Sequence, residues 1–270
     1  MVKAECSCME RWDASLRSLL SRAALKYRRT VAKHLYCRVV RLKTTAPIIS
    51  FSFDDAPRTA FTYGGDILNA HGAGATFYVS LGLLDADSPS GVIASQSDLG
   101  NALEQGHELG CHTFDHENPW DTKTKSFVQS VLKNRQALSN LLPDAAYSSL
   151  AYPICEPRPA TKRRIGKLFR CCRGGGQSFN VGKIDLNLLK AFFLDVRNGN
   201  TIDTVKRVVH KNAEARGWLI FATHDISDNP SRYGCSKHFF EEIVKHAAQS
   251  GALLLPVGKA YEQIQGSSAS

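Results

Sequence analysis

From about residue 47 onward, short apolar runs alternate with stretches that show helical periodicity. The runs are IISFSF (48–53), ATFYVSL (75–81), HELGCHT (107–113), SSLAY (148–152), AFFLDV (191–196), WLIFATH (218–224) and ALLLP (252–256). Apolar residues recur at three- and four-residue steps near 60–70, 97–105, 123–141, 203–215 and 237–249, which predicts helices there. Regular β/α alternation predicts an α/β fold, a parallel sheet covered by helices and either open or closed into a barrel. Chemistry in such folds gathers where the strands end, at their C-terminal edge.

The first 45 residues have a different texture. Trp12, Leu16, Leu19, Leu20, Ala23, Tyr27, Val31 and Leu35 recur at helical steps with arginines and lysines between them, the pattern of a basic amphipathic helix. Its apolar stripe either docks on the domain or lies on an anionic membrane surface. The chain therefore divides into an extension (1–45), a catalytic domain (46–265) and a polar tail (266–270).

Charge sharpens that division. Residues 1–43 hold 11 Lys/Arg and 3 Asp/Glu, a net of +8, whereas residues 44–270 hold 23 and 22, a net of +1. The basic character belongs to the extension, and no nucleic-acid reader motif accompanies it, so nucleic acid is not an expected partner. No apolar window is long enough to span a bilayer, and Glu5, Glu10, Arg11 and Asp13 interrupt the N-terminus where a secretory signal needs an apolar core. The expected location is cytoplasmic, with peripheral contact at the inner membrane face through residues 1–43 if the stripe lies on lipid instead of docking on the domain. The eight cysteines lack the paired spacing of a structural zinc site and are expected to be reduced thiols.

Polar residues cluster at the predicted strand ends: Asp54 and Asp55 after the first, His112 and His116 after the third, Tyr152 and Pro153 after the fourth, Asp195 in the fifth and His224 after the sixth. The His-x-x-x-His spacing can bring two imidazoles to one ion if the segment turns or is helical, and an aspartate from another strand can complete a two-histidine, one-carboxylate set. Adjacent aspartates at a strand end point different ways, so one can ligate a cation while the other stays free to act as a base. Two carboxylates so close would repel unless a cation shares them. Taken alone, the histidine spacing is equally compatible with a structural role, and the aspartates with a helix cap.

FSFDDAP resembles the TFDDGP motif of polysaccharide deacetylases (carbohydrate esterase family four), and HTFDH resembles their H-[ST]-x-x-H motif. LAYPICEP is similar to the third motif in the branch that lacks its arginine, and FATHDISDNPSRYG to the last motif. The resemblance runs over about residues 46–265 with the motifs in order. It implies a distorted (β/α) barrel and hydrolysis of the acetamide of an N-acetylated saccharide. Asp55, His112 and His116 would hold one divalent metal, usually zinc, with Co2+, Ni2+ or Mn2+ as alternatives. Asp54 would be the general base, the Tyr152 backbone N–H beside Pro153 would stabilise the oxyanion, and His224 would protonate the leaving amine with Asp195 as its partner. Alternative readings keep the site but change the bond, to a non-sugar amide or an O-acetyl ester, or make the protein a non-catalytic saccharide binder. Departures from the motifs stand at Ala56 and Cys155, in place of glycines, and at Ala151, in place of the arginine that tunes the base. Arg158 and Arg197 are the candidates to replace that arginine.

Overall fold

The computed structural model describes residues 22–154 and 156–266. Its strands are β1 (Val39–Arg41), β2 (Ile48–Phe53), β3 (Ala75–Val79), β4 (Asp87–Ser88), β5 (Gly91–Val92), β6 (Glu108–Cys111), β7 (Ser149–Ala151), β8 (Cys171–Arg173), β9 (Lys183–Asp185), β10 (Phe192–Phe193), β11 (Trp218–Thr223) and β12 (Leu253–Leu254). Its helices are α1 (22–34), α2 (Asp66–Ala70), α3 (Gln96–Glu104), α4 (Thr124–Leu141), α5 (Pro159–Ile165), α6 (Ile202–Glu214), α7 (Lys237–Ala248) and α8 (Val257–Gly266).

Eight strands form one curled sheet in the order β10-β11-β2-β3-β6-β7-β8, with β12 also paired to β2. Every pairing in it is parallel. The expected α/β architecture is borne out, as a half-barrel whose strands all end at one edge. Strand β2 explains why the apolar runs are continuous rather than alternating: all six residues of IISFSF are buried, because helices or strands cover both faces. Phe51, Phe53, Phe61, Phe77, Phe221 and Phe240 fill the core around it, with Phe53 and Phe77 stacked at 5.0 Å. Burying each ring is worth about 2–3 kcal/mol.

Local signals set the helix boundaries. Ser95 and Asp98 make a reciprocal capping box at α3, Thr201 and Ser236 cap α6 and α7 through their hydroxyls, and α5 opens on Pro159. No described helix is long and apolar enough to cross a membrane.

The N-terminal helix is described only from residue 22, so Trp12, Leu16, Leu19 and Leu20 lie outside the described residues, as does Cys155. Within α1 the buried contact is Ala32, whereas Tyr27 is 63% exposed and Val31 half-buried. The helix docks mainly through polar groups. Lys162 Nζ, fully buried, donates to the Ala32 carbonyl (2.6 Å) and pairs with Asp185 (2.5 Å). Arg28 pairs with Asp121 at 3.3 Å and lies over the Trp120 ring, and Arg29 pairs with Glu156. Strand β1, inside the segment read as an extension, pairs antiparallel with β9.

Candidate active site

Strand β2 delivers the two aspartates. The Asp54 N–H donates to the Thr223 carbonyl (2.8 Å), which carries the β2–β11 ladder to its last rung. The backbone then turns through two left-handed residues, Asp55 (φ 58°) and Ala56 (φ 52°). That conformation costs an L-residue about 1–2 kcal/mol, least for aspartate, so Ala56 is the strained position. Ala56 is fully buried and its carbonyl accepts from Ala94 (3.1 Å), contacts that hold the turn against the strain.

The turn aims the two carboxylates differently. Asp55 Oδ1 lies 3.1 Å from His116 Nε2 and 3.6 Å from His112 Nε2, and its Oδ2 lies 3.8 Å from His224 Nε2. His112 directly follows β6, is 1% exposed, and its Nδ1 is 2.9 Å from the Ala151 carbonyl. Donation of an Nδ1–H to that carbonyl leaves the Nε2 lone pair facing Asp55. Burial, only partly opposed by Asp54, pushes the His112 pKa down to about 4, so the ring is neutral at ordinary pH. His116 reaches the same point by turning rather than by a helix: Thr113 (φ 66°) and His116 (φ 55°) are both left-handed. The Thr113 hydroxyl oxygen accepts from the Glu117 N–H (3.0 Å), and the Glu117 carboxylate accepts from Ser130 (2.6 Å).

These residues fit a divalent cation. One ligand atom from each of Asp55, His112 and His116 lies within 4.8 Å of the others. Asp55 Oδ1 is buried with no hydrogen-bond donor, a lone pair that calls for a positive partner. Two imidazoles and one carboxylate, with the far nitrogen of His112 held by a carbonyl, are the donors that zinc and its neighbours in the transition series take.

Asp54 is 5% exposed and is held in an ion pair with the guanidinium of Arg173 at the end of β8. Burial alone would raise its pKa, but Arg173 and then His112 more than offset this and hold the carboxyl below its usual range. Neither arginine expected beside it is there. Arg158 donates to the Trp120 and Asp121 carbonyls, and Arg197 pairs with Asp195. Arg173 escaped the sequence reading because CCR is too short for any period, and the two small thiols before it carry no charge pattern; the arginine directly before GGG was the available signal.

His224, at the end of β11, joins the cluster with its Nδ1 3.2 Å from the Tyr233 carbonyl and its Nε2 toward Asp55. Asp195 does not accompany it. That carboxylate is 2% exposed and accepts from the Asn198 backbone (3.1 Å) and side chain (2.7 Å) and from Arg197, capping a short turn instead of lying in a strand. The Tyr152 assignment also needs correction: its backbone N–H donates to the Arg173 carbonyl (2.9 Å) as part of the β7–β8 ladder, so it is not free for an oxyanion. Pro153, next to it, is buried. Cys37, Cys111, Cys171, Cys172 and Cys235 are free thiols, none of them in the cluster.

Comparison with known proteins bears out the resemblance drawn from the motifs. Residues 41–168 match the polysaccharide deacetylase family. Over 91 residues (33% of this chain and 18% of the other) the chain is 34% identical to the peptidoglycan-N-acetylglucosamine deacetylase PgdA of Listeria monocytogenes. Over 120 residues (44% and 52%) it is 30% identical to the chitooligosaccharide deacetylase of Sinorhizobium fredii. The chain thus spans about half the length of one curated relative and under a fifth of the other. The solved chitin deacetylase of Colletotrichum lindemuthianum superposes with a TM-score of 0.58 at 16% identity, covering 81% of this chain and 89% of that one, which shows a common fold.

Proposed function

We propose that this polysaccharide deacetylase-like protein hydrolyses the acetamide of an N-acetylated saccharide, with a divalent metal, zinc in the first instance, held by Asp55, His112 and His116. The observation that carries the reading is the convergence of those three side chains beside a separately paired Asp54 and a lone His224. A deacetylase domain similar to enzymes named for N-acetylglucosamine polymers points to a glycan containing that sugar.

A bound divalent cation would supply Lewis-acid polarisation of the acetyl carbonyl and acidify a water. The chain's own groups supply the proton transfers. Asp54, kept anionic beside Arg173, takes the proton of the attacking water. His224 lies nearest the other carboxylate oxygen of Asp55, with Nδ1 held by a backbone carbonyl. In its protonated form it delivers the Nε2 proton to the departing amine. Asp55 acts by orienting both flanking histidines and contributes no proton.

The test is acetate release from N-acetylglucosamine oligomers by metal-loaded protein. Asp54→Asn and His224→Asn should each lower kcat by about 100-fold or more, the usual worth of a general base or acid. O-acetylated glycans and small amides in the same panel separate the alternative bonds. A protein with a filled metal site that binds saccharide but releases acetate from none of these would be a non-catalytic saccharide binder.

Peripheral contact with anionic lipid is a further part of this proposal. Residues 14–53 contain no acidic residue, and α1 leaves Leu25 and Tyr27 exposed among its arginines and lysines. Such a surface would be drawn to anionic headgroups. Binding to vesicles rich in phosphatidylglycerol that survives deletion of residues 1–34, or that is no stronger than to neutral vesicles, would exclude it.

A further inference from the structure

On the Nδ1 side of His224 the surface is basic and aromatic, and the proton transfers make no use of it. Two loops build it. Residues 195–198, between β10 and α6, carry Arg197, and residues 231–235, between β11 and α7, carry Arg232 and Tyr233. The loops are stitched together by the Val196 N–H, which donates to the Gly234 carbonyl (3.0 Å). Asp225 fixes the second loop by accepting from the Ser231 N–H (2.7 Å) and hydroxyl (2.5 Å). Only glycine fits at 234, because a Cβ would come within 2.2 Å of the Asp225 carbonyl oxygen. The Tyr233 ring centroid lies 5.5 Å from that of His224, and the Cζ atoms of Arg197 and Arg232 lie 4.5 and 5.4 Å from the Tyr233 centroid.

The carboxylates around this platform are already engaged. Asp225 holds Ser231, Asp228 pairs with Lys237 (3.2 Å), and Asp195 accepts from Asn198 and from Nε and Nη2 of Arg197. Among the described residues, Nη1 of Arg197 makes no hydrogen bond, and Arg232 has neither a hydrogen bond nor a carboxylate within 4.0 Å. Contact with an aromatic ring steadies a guanidinium and leaves N–H groups free for an acceptor. Two such forks beside one ring suit a phosphate, whose several oxygens both can share, whereas a single fork satisfies a carboxylate.

We infer that Arg197 and Arg232, on the Tyr233 platform beside His224, form a subsite for the phosphate of an N-acetylated sugar phosphorylated at its anomeric oxygen. The placement rests on the proposed deacetylation, in which His224 protonates the amine that stays on the sugar. Its Nε2 faces Asp55 and its Nδ1 the Tyr233 carbonyl, so the platform adjoins the sugar's amine and not the departing acetate. The anomeric carbon is the neighbour of the carbon that bears that amine. A phosphate there is therefore the anion closest to the reacting nitrogen, whether it comes from a free sugar phosphate or from a sugar linked to a carrier through a diphosphate.

The experiment titrates the metal-loaded full chain, slowed by D54N, with the anomeric phosphate of N-acetylglucosamine and with the neutral methyl glycoside of the same sugar. The phosphate should bind at least about tenfold more tightly, the worth of one charge-assisted contact. R232M, and R197K, which keeps a charge against buried Asp195, should each cut that ratio by at least about threefold, and the double variant should bring it close to one. Thermal melting checks that each variant folds. UDP-N-acetylglucosamine in the same titration identifies the source: binding as tight as the monoester supports the subsite as one for carrier-linked sugars, and weaker binding supports it as one for the free sugar phosphate. Equal affinity of the wild-type platform for phosphorylated and neutral sugar overturns the inference. So does a phosphate preference that the folded double variant retains, which would place the anion on the metal, or N-acetylmuramic acid binding as tightly, which would make the site one for carboxylates. Acetate release from none of these sugars by the chain with Asp54 intact refutes the proposed function instead, and the binding ratios still decide the subsite.

Discussion

Replacing Lys162 with methionine tests how the N-terminal segment is held. The lysine side chain has no solvent exposure, and its ammonium lies 2.5 Å from Asp185 Oδ2 and 2.6 Å from the Ala32 carbonyl of α1. Methionine keeps most of the buried stem and deletes the charge. Removing one member of a buried ion pair costs about 3–5 kcal/mol, chiefly because the other charge is left uncompensated. Asp185 keeps the N–H groups of Arg38 (2.8 Å) and Asn187 (2.9 Å) and is 16% exposed, which places the cost at the lower end, about 3 kcal/mol. At about 2–4 °C per kcal/mol for a domain of this size, K162M should melt about 6–12 °C below the wild type. The Ala32 carbonyl also loses its donor, so amide exchange over residues 22–34 should rise beyond what the global loss explains. Urea unfolding of K162M, D185N and the double variant, with hydrogen exchange on each, measures both effects. The double variant removes both charges and should be more stable than the sum of the singles implies, by 1 kcal/mol or more, since close charged pairs couple by about that much. A K162M protein that loses less than about 1 kcal/mol, with α1 still protected, would show that the buried lysine does not anchor the helix.

Asp55→Ala should lower affinity for zinc by at least about 100-fold, because losing a ligand costs more than losing the outer groups that orient one; calorimetric titration of the metal-free protein with zinc measures it. His112 has a folded pKa of about 4 against 6.5 for the ordinary imidazole, so as the pH falls the unfolded chain takes up the proton first. Metal-free protein should therefore be fully stable above about pH 6.5 and lose up to about 3 kcal/mol on the way to about pH 4, a slope that His112→Gln should flatten in urea titrations. Ala56→Gly relieves about 1–2 kcal/mol of left-handed strain. It loses about 0.8 kcal/mol of methyl burial and 0.5–1 kcal/mol to the freer unfolded chain, so its melting temperature should stay within about 4 °C of the wild type. Ala56→Val, β-branched at the same φ, should be strongly destabilised in the same melt.

The long central strands were legible in the sequence because both their faces are buried. IISFSF and WLIFATH read as apolar runs and became β2 and β11 within a residue. The helices with clear periods, α3, α4, α6 and α7, all but α4 also capped by a side chain, lay within a residue or two of their expected positions. Of the strands of two or three residues, β7, β10 and β12 fell inside longer apolar runs, whereas β8 and β9 were not legible, since period-2 alternation needs more positions than either offers. Asp54, Asp55, His112, His116 and His224 stood out in the sequence because their chemistry is unusual at strand ends, and the structure brings all five together. Asp195 and the Tyr152 N–H were misread for a different reason. Whether a polar group is free depends on its hydrogen-bond partners, and those are set by loop geometry and strand register that no local pattern encodes.

The position of β2 in the sheet has a kinetic consequence. It is hydrogen-bonded on one side to β11, along its whole length, and the Ser52 hydroxyl bonds the Phe221 carbonyl 169 residues away. On a ribosome, this fully buried strand emerges early and must wait for some 170 further residues before its neighbour on that side exists. At about 5–20 residues per second that is a delay of roughly 10–30 s with an unpaired hydrophobic edge. Such a chain should depend on a chaperone during synthesis more than its final stability would suggest, and should refold slowly from denaturant.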